Sequence, residues 1–289
     1  MSYPLVTTDW LTQRIDDRNI RIVDIRGHVL PASAPLPHYY NHHADYLEAH
    51  IPGAVFIDWV HEITDPADPR HAQIAPPERY AAVMRRNGVS DDTFVVAYDD
   101  AGGMFAARLW WSLLYYGHEH AAVLIDGWQR WVAQGLPTDS TIPNYPEGSF
   151  QARPQPHLRL TAEDVLAGVG HLNLLDVRTP DEFAGSASRT SRKGHIPTAL
   201  NLPRAELLDA QGVMLAPDLL RAKFEAAGVH DDGSNTVTYC NGGVSASFAL
   251  LAMRAAGYKG GAVYDGSWKD WSSDPDKPVE SEQPTISQP

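Results

Sequence analysis

The sequence predicts an α/β protein with two tandem domains, each a parallel sheet with helices on both faces. Short runs of β-branched and aromatic residues alternate with helical patterns along the chain. The second half of the chain also repeats motifs of the first half. Strands that alternate with helices form parallel sheets, and such sheets bind ligands beyond the carboxyl ends of their strands.

The elements of each copy follow from these patterns. In the first copy we expect strands over 21–24, 93–98 and 122–125, and helices over 77–86 and 104–116. In the second copy, residues 236–239 are predicted to form a strand and residues 248–256 a helix.

Two motifs show the repeat most directly. An Asp-x-Arg motif ends a β-rich run at Asp24 and again at Asp176. A His-Ile-Pro motif follows at His50 and at His195. We interpret the Asp-x-Arg pairs as structural ion pairs at strand ends rather than as acid–base groups.

From Gly88 onward the repeat matches without a gap at a separation of 140 positions. On this alignment the repeat partner of Cys240 is Asp100. The tryptophans of each copy are spaced i, i+3, which predicts a packed short helix. They are Trp128 and Trp131, and Trp268 and Trp271.

Composition divides the chain into domains. We expect a first domain over 1–136, a proline-containing linker over 137–156, and a second domain over 157–289. Residues 272–289 are rich in Ser, Asp, Glu and Pro and are predicted to form a partly ordered tail.

Composition and charge exclude several classes of protein. The chain of 289 residues is 43% hydrophobic and 20% charged, as globular proteins are. No apolar run is long enough to span a membrane, and residues 1–10 do not have the pattern of a secretory signal. The formal net charge of −13 argues against nucleic acid and anionic membranes as partners. With one cysteine, we expect no disulfide and a cytoplasmic location.

The one cysteine, Cys240, lies between the predicted strand and helix of the second copy and is the candidate nucleophile. Glycines in the turn allow a tight fold, and a helix N-terminus favours the thiolate, which is the reactive form. A lone cysteine can also be a small buried hydrophobe, but this strand–turn–helix context favours chemistry. The predicted loop around the sulfur is Asn241, Gly242, Gly243, Val244, Ser245 and Ala246.

Taken together, the Asp-x-Arg strand ends, the His-Ile-Pro segments, the Cys-x-x-Gly-Val loop and the Asp-Gly/Trp endings resemble the rhodanese family, specifically its tandem-domain sulfurtransferases. The resemblance implies that Cys240 takes a sulfane sulfur, forms a persulfide and passes the sulfur to a thiol or cyanide. It also implies that the first copy, with Asp100 in place of cysteine, is catalytically silent. Loop amides would stabilise the negatively charged persulfide.

The resemblance leaves two donors open, thiosulfate and 3-mercaptopyruvate. Thiosulfate enzymes of the family often have basic residues after the cysteine, and 3-mercaptopyruvate enzymes have a serine two positions after it. Here those positions are Asn241 and Gly242, so neither pattern is complete. We favour thiosulfate, with 3-mercaptopyruvate as the alternative.

The charged residues of the site are less well defined by sequence. The basic residues before the second His-Ile-Pro motif are candidates for binding an anionic donor, although a solvated basic loop is an equal alternative. They are Arg189, Arg192 and Lys193. The resemblance also suggests Asp58 and His71 as possible contributors from the first domain, with His61 as a rival to His71.

Other functions are less well supported. A phosphatase of the same fold needs an arginine where this chain has Ala246. The histidine pairs at His42-His43 and His118-x-His120 are predicted to lie at the surface rather than to bind metal. We therefore expect no metal and no cofactor. The expected partners are a small anionic sulfur donor and a thiol or cyanide acceptor, with a thioredoxin-like protein as a candidate acceptor. A non-catalytic persulfide carrier is the alternative of another class.

Overall fold

The structure, a computed structural model, describes residues 4–31, 34–35, 37–70 and 73–281. These residues form two compact units, one drawn from Met1–Leu158 and Leu208–Ala216, the other from Arg159–Leu207 and Pro217–Pro289. The predicted linker over 137–156 falls within the first unit. No described helix is long and apolar enough to cross a bilayer.

The first unit contains seven described strands, five of which form one parallel sheet. The strands are β1 (Leu5–Val6), β2 (Ile20–Asp24), β3 (Gly27–Val29), β4 (Tyr39–Asn41), β5 (Val55–Phe56), β6 (Phe94–Tyr98) and β7 (Ala121–Leu124). The parallel sheet has the order β1-β7-β6-β2-β5, while β3 and β4 pair in antiparallel fashion. The described helices are α1 (Thr8–Thr12), α2 (His43–Glu48), α3 (Pro77–Arg86), α4 (Met104–Tyr115) and α5 (Gly127–Ala133).

The second unit repeats this architecture. Its described strands are β8 (Arg159–Leu160), β9 (Asn173–Asp176), β10 (Leu200–Asn201), β11 (Thr236–Tyr239) and β12 (Ala262–Tyr264). They form a parallel sheet in the order β10-β9-β11-β12-β8. The described helices are α6 (Ala162–Gly168), α7 (Pro180–Ala184), α8 (Pro217–Ala226), α9 (Val244–Ala255) and α10 (Ser267–Trp271), with a 3₁₀ turn at Arg204–Leu207. Another 3₁₀ turn, Pro156–Leu158, lies at the end of the first unit's main segment. The predicted fold class is therefore confirmed.

The predicted elements agree with the structure except at the start of one helix. The helix predicted over 77–86 has those bounds, and the three predicted strands of the first copy are shifted by no more than one residue. The helix predicted to begin at 248 begins at Val244 instead. Gly243 has φ 82, a left-handed conformation that turns the chain directly into the helix, so the loop is shorter than expected.

In each unit, a residue that follows the last helix of the sheet domain pairs with the histidine of the His-Ile-Pro motif. The backbone of His50 exchanges hydrogen bonds with Asp139, at 2.8 and 2.9 Å. His195 exchanges the same pair with Glu280, at 2.8 and 3.0 Å. The start of the linker and the described part of the C-terminal segment are therefore equivalent parts of the two domains.

The Asp-x-Arg motifs form buried ion pairs, as the sequence predicted. Arg26 and Asp24 are joined at 2.9 Å, and the hydroxyl of Tyr98 donates to Asp24 at 2.6 Å. Burial raises the pKa of Asp24 above its usual range, against the opposing effect of the Arg26 charge. In the second unit Arg178 donates to Asp176 at 2.5 Å and to the carbonyl of Gly194 at 2.8 Å. The pairs fix the carboxyl ends of β2 and β9.

Aromatic rings enclose these ion pairs. The guanidinium carbon of Arg178 lies 4.5 Å from the ring centroid of Trp268, and that of Arg26 lies 4.3 Å from Trp128. Trp131 and Trp271 are fully buried. The short-helix interpretation of the tryptophan pairs is confirmed, because they lie on α5 and α10.

The surface prediction for the histidine pairs is wrong at His118. Its side chain is buried among aromatic residues, with Phe150 at 5.5 Å between ring centroids, and burial lowers the pKa of the imidazole. His42 is only partly exposed and is paired with Asp100 at 2.6 Å. Neither burial nor this pairing could be read from a short spacing in the sequence.

We expect Arg178→Met to lower the free energy of unfolding of the second unit by about 3–5 kcal/mol, because it leaves Asp176 buried without its cation. Urea unfolding monitored by tryptophan fluorescence measures the change. The double variant Asp176→Asn/Arg178→Met removes both charges and should be more stable than the single variant. A loss below about 1 kcal/mol in the single variant would show that the pair does not hold the strand end.

Candidate active site

Cys240 lies at the turn between β11 and α9, at the carboxyl end of a strand in the middle of the second sheet. The sulfur-bearing side chain is 5% exposed. Three residues separate it from the helix, and the last of them, Gly243, takes the left-handed conformation that lets the helix start at once. The predicted strand–turn–helix setting of the cysteine is therefore present.

The hydroxyl group of Ser267 anchors the turn through hydrogen bonds to its backbone. Its hydroxyl oxygen accepts from the amides of Cys240 and Gly243, at 3.1 Å each, and its hydroxyl donates to the carbonyl of Tyr264 at 2.8 Å. Ser267 is fully buried and has φ 55, an unfavourable backbone conformation for a residue with a Cβ. Its repeat partner, Gly127, has φ 61 without that cost. The serine is therefore retained against backbone strain, and what it contributes is its hydroxyl group.

The start of α9 supplies amides directed at the turn. The first amides of a helix have no acceptor within the helix, and together they form its positive end. Among the described residues, the amides of Gly242, Val244 and Ala246 have no hydrogen-bond acceptor. Of the predicted loop amides, Gly243 alone is engaged by Ser267. An anion at the turn would find donors already in place.

Strand register changes the predicted partner of Cys240 in the first copy. Asp24 is paired with Tyr98, and the equivalent Asp176 is paired with Tyr239, so these two tyrosines correspond. The next residue in the first copy is Asp99, not Asp100. The amide of Trp128 donates to the carbonyl of Asp99, and the amide of Trp268 donates to that of Cys240, both at 2.9 Å. Asp99 is thus the structural counterpart of the cysteine.

The alignment without gaps paired Cys240 with Asp100 because two differences in length between the copies cancel. The first loop has five residues between Tyr98 and Met104, and the second has four between Tyr239 and Val244. The extra residue in the first loop is offset by one extra residue before the strand of the second copy. Asp100 lies in the same loop, but its carboxylate accepts from the amide of Gly27 and from His42 rather than from the loop amides.

The carboxylate of Asp99 occupies the amide cradle of the first copy. It accepts four backbone amides, those of Ala101 and Gly103 on one oxygen and those of Phe105 and Ala106 on the other, at 2.7 to 2.9 Å. Burial raises the pKa of Asp99, and the amide hydrogen bonds oppose that rise. The same strand–loop–helix arrangement that contains Cys240 in the second copy therefore binds a carboxyl group in the first copy.

Asn241, the residue after the cysteine, is neutral and is hydrogen-bonded to an acidic side chain. The side-chain amide of Asn241 donates to Glu182 at 2.9 Å, and Arg189 lies 3.7 Å from the same carboxylate oxygen. The side-chain oxygen of Asn241 is buried and has no partner among the described residues. Of the predicted donor-binding residues, Arg189 is therefore brought close to the loop, through Glu182.

The other two predicted donor-binding residues are placed differently. Arg192 donates to the backbone carbonyls of Asp274, at 2.5 Å, and Lys277, at 2.8 Å. The structure thus gives Arg192 a role in anchoring the C-terminal segment, which the sequence could not indicate. Lys193 is exposed to solvent.

The predicted first-domain residues are only partly described. Asp58 lines an open cleft of about 420 Å³ and accepts from Asn41 at 2.7 Å and from His61 at 2.8 Å. His61, the rival candidate, is thus a direct neighbour of Asp58. His71 lies outside the described residues, so its predicted role stays a prediction.

Sequence reasoning missed Ser267 and Asp99. The signal for Ser267 was a difference between the repeats, Asp-Gly-Ser-Trp in the second copy against Asp-Gly-Trp in the first. Asp99 adjoins Asp100, and only the pairing of strands separates the two candidates.

The comparisons with known proteins agree with this site. A rhodanese-like domain matches residues 7–134 and again 161–274. The 3-mercaptopyruvate sulfurtransferase of Escherichia coli K12 is 34% identical over 281 residues, covering 95% of this chain and 97% of the relative. The thiosulfate sulfurtransferase of Bos taurus is 33% identical over 276 residues, covering 92% and 91%.

A solved structure extends the likeness to three dimensions. SseA from Escherichia coli, described as a 3-mercaptopyruvate sulfotransferase with the rhodanese fold, superimposes with a TM-score of 0.80 at 31% identity, over 92% of this chain and 99% of that chain. The fold and the thiol at the strand end define a protein of the rhodanese-like domain family, to which the chain belongs. Within that family it is a tandem-domain sulfurtransferase.

We expect Asp99→Ala to destabilise the first unit by about 2–4 kcal/mol, because four buried amides lose their acceptor. We also expect sulfate to raise the thermal midpoint of this variant more than that of the wild type, since a free anion can enter the vacated cradle. Asp100→Ala is the control and should respond to sulfate as the wild type does. An equal sulfate response in all three proteins would contradict an anion cradle in the first copy.

We expect Ser267→Gly to slow the reaction of Cys240 with iodoacetamide and to lower sulfur transfer about tenfold, because the turn amides lose their acceptor while the backbone conformation is relieved. Alkylation kinetics and steady-state turnover measure the two effects. Ser273→Gly, at a nearby exposed serine, is the control. Wild-type rates in Ser267→Gly would mean that the hydroxyl does not organise the turn.

Proposed function

We propose that the protein moves a sulfane sulfur from thiosulfate to a thiophilic acceptor through a persulfide on Cys240. The Cys240 thiolate attacks the outer sulfur of thiosulfate, a new S–S bond forms, and sulfite leaves with the electron pair of the broken S–S bond. Cyanide or a thiolate then attacks the outer sulfur of the persulfide. Thiocyanate or a low-molecular-weight persulfide departs, and the Cys240 thiolate is restored.

The occupied cradle of the first copy is the observation that carries this proposal. Where the second copy has a thiol, the first has a carboxylate bound by four amides. A thiolate, and then a persulfide, is an anion of the kind that such a turn stabilises. The turn can therefore favour both charged states of Cys240 without a side-chain base.

The alternative donor is 3-mercaptopyruvate. The Cys240 thiolate would attack the thiol sulfur, and the carbon–sulfur bond would break with its electron pair moving into the enolate of pyruvate. The methylene carbon of that enolate then takes up the thiol proton, which gives pyruvate and the Cys240 persulfide. The neutral Asn241 and its acidic neighbour Glu182 favour this singly charged donor over the thiosulfate dianion. The name of the Escherichia coli relative points the same way.

The acceptor is a small thiol, cyanide or a thioredoxin-like protein in this proposal. A single reactive thiol suits a reducing compartment such as the cytoplasm. A stoichiometric persulfide carrier remains the second class of function, since the same turn would hold a persulfide whether or not it turns over.

The test of the persulfide is Cys240→Ser. We expect a folded protein with no measurable transfer of sulfur, since a hydroxyl is a far weaker nucleophile than a thiolate at neutral pH. Mass spectrometry after exposure to each donor should show one added sulfur atom in the wild type and none in the variant. Turnover or sulfur loading in Cys240→Ser would remove Cys240 from the mechanism.

The wild-type protein also serves to distinguish thiosulfate from 3-mercaptopyruvate as the donor, and an enzyme from a persulfide carrier. Comparison of kcat/KM for thiosulfate and 3-mercaptopyruvate, with cyanide as acceptor, identifies the better donor. Loading without turnover for either donor would support the carrier and contradict the enzyme.

A further inference from the structure

The turn that contains Cys240 lies between two neighbouring strand ends of the second sheet. In that sheet β11 leads into the turn, and β9 and β12 flank it. On the β12 side, the amide of Trp268 donates to the carbonyl of Cys240 at 2.9 Å. The next pair, Lys269 and Asn241, makes the same bond at 3.1 Å, and the Ser267 hydroxyl accepts two amides of the turn. The start of α10 therefore holds the turn from one side.

Glu182 holds the turn from the β9 side. It lies in α7, the short helix that follows β9. One oxygen of its carboxylate accepts from the side-chain amide of Asn241 at 2.9 Å. The other accepts from the amide and the hydroxyl of Thr179, at 3.3 and 3.2 Å, and so completes a capping box at the start of the helix. A single carboxylate thus joins the start of α7 to the second residue of the turn.

The carboxylate also determines the orientation of the Asn241 amide. Only the nitrogen end can donate, so a rotation of the amide by about 180° would place its oxygen against the Glu182 carboxylate. The Asn241 oxygen is buried and has no partner among the described residues. Glu182 therefore supplies the hydrogen bond that holds this side chain, and the acceptor is a charged group only 13% exposed, which strengthens the bond.

The first copy makes the equivalent connection with a carboxylate of its own. By strand register, Asp100 is the counterpart of Asn241. Gly27 is the counterpart of Thr179, because each follows the arginine of an Asp-x-Arg motif. The Asp100 carboxylate accepts from the amide of Gly27 at 3.2 Å. In both copies, one carboxylate connects the second residue of the turn to the amide after the Asp-x-Arg motif, although the acid lies on the loop in one copy and on a helix in the other.

We infer that Glu182 is a positioning residue for Cys240. Its carboxylate holds Asn241, which is covalently bonded to Cys240, and so keeps the turn in the conformation in which the thiol reacts. Contacts from both flanking strand ends are needed because a turn held on one side only can shift on the other. The inference concerns the reactivity of the thiol, and it rests on the proposed function only where sulfur transfer is the readout.

The first test compares two acids that cap helices in the same way. Asp164 completes a capping box with Thr161 at the start of α6, and among the described residues its carboxylate accepts from Thr161 only. We expect Glu182→Ala to slow the alkylation of Cys240 by iodoacetamide about five- to tenfold, because the turn loses its contact on the β9 side. Asp164→Ala also loses a helix cap but should react at the wild-type rate.

The second test exchanges the donor and the acceptor of the bond. Asn241→Asp places two carboxylates in contact and should slow alkylation as Glu182→Ala does. In Glu182→Gln/Asn241→Asp, the new amide can donate to the new carboxylate and still accept from Thr179, so that the hydrogen bonds and the net charge are both kept. We expect this double variant to recover most of the wild-type rate. A double variant slower than either single variant would contradict a direct positioning bond.

Steady-state kinetics separate positioning from donor binding. We expect Glu182→Ala to lower kcat and kcat/KM for sulfur transfer by similar factors and to leave KM nearly unchanged. An unchanged alkylation rate in a folded Glu182→Ala variant would overturn the inference, whatever its KM. Slower alkylation in Glu182→Ala, where the wild type itself transfers no sulfur, would support the role of Glu182 and overturn the proposed function instead.

Discussion

The amides at the start of α4 and α9 have no acceptor within their own helices, and each copy of the domain satisfies this constraint differently. In the first copy the Asp99 carboxylate binds four amides and is buried with them. In the second copy Ser267 takes two amides at the base of the turn. Among the described residues, the amides of Gly242, Val244 and Ala246 keep no acceptor at the turn that contains Cys240. One backbone arrangement therefore accommodates both the buried carboxylate of the first domain and the thiol of the second.

This arrangement depends on strand ends that do not move. Arg178 spans from Asp176 to the carbonyl of Gly194 and packs against Trp268, whose own amide holds the carbonyl of Cys240. A single residue, Trp268, thus connects the ion pair to Cys240. A buried pair of this kind adds little net stability over an apolar pair, but it fixes geometry when both partners are present. We infer that the Asp176–Arg178 ion pair positions Trp268 and, through it, the backbone of Cys240.

The sequence was sufficient for the architecture and for the position of Cys240 between a strand and a helix. The period of apolar residues predicted the bounds of α3 correctly, and the strand before Cys240 followed from its β-branched residues. The sequence was insufficient where a prediction depended on strand register or on contacts between segments that are distant in the chain. A gapless alignment concealed two compensating insertions and selected Asp100 in place of Asp99. His118 is buried, and Arg192 donates to the backbone carbonyl of Asp274. Both contacts involve segments that are distant in the chain, so a local sequence pattern does not predict them.

Because of the extra residue in the first loop, a single substitution at Asp99 would not reproduce the turn of the second copy. A cysteine introduced at position 99 would stand in a turn of five residues rather than four, above Gly127, which offers no hydroxyl. A turn equivalent to that of the second copy would need one deletion and two substitutions together, a cysteine at position 99 and a serine at position 127.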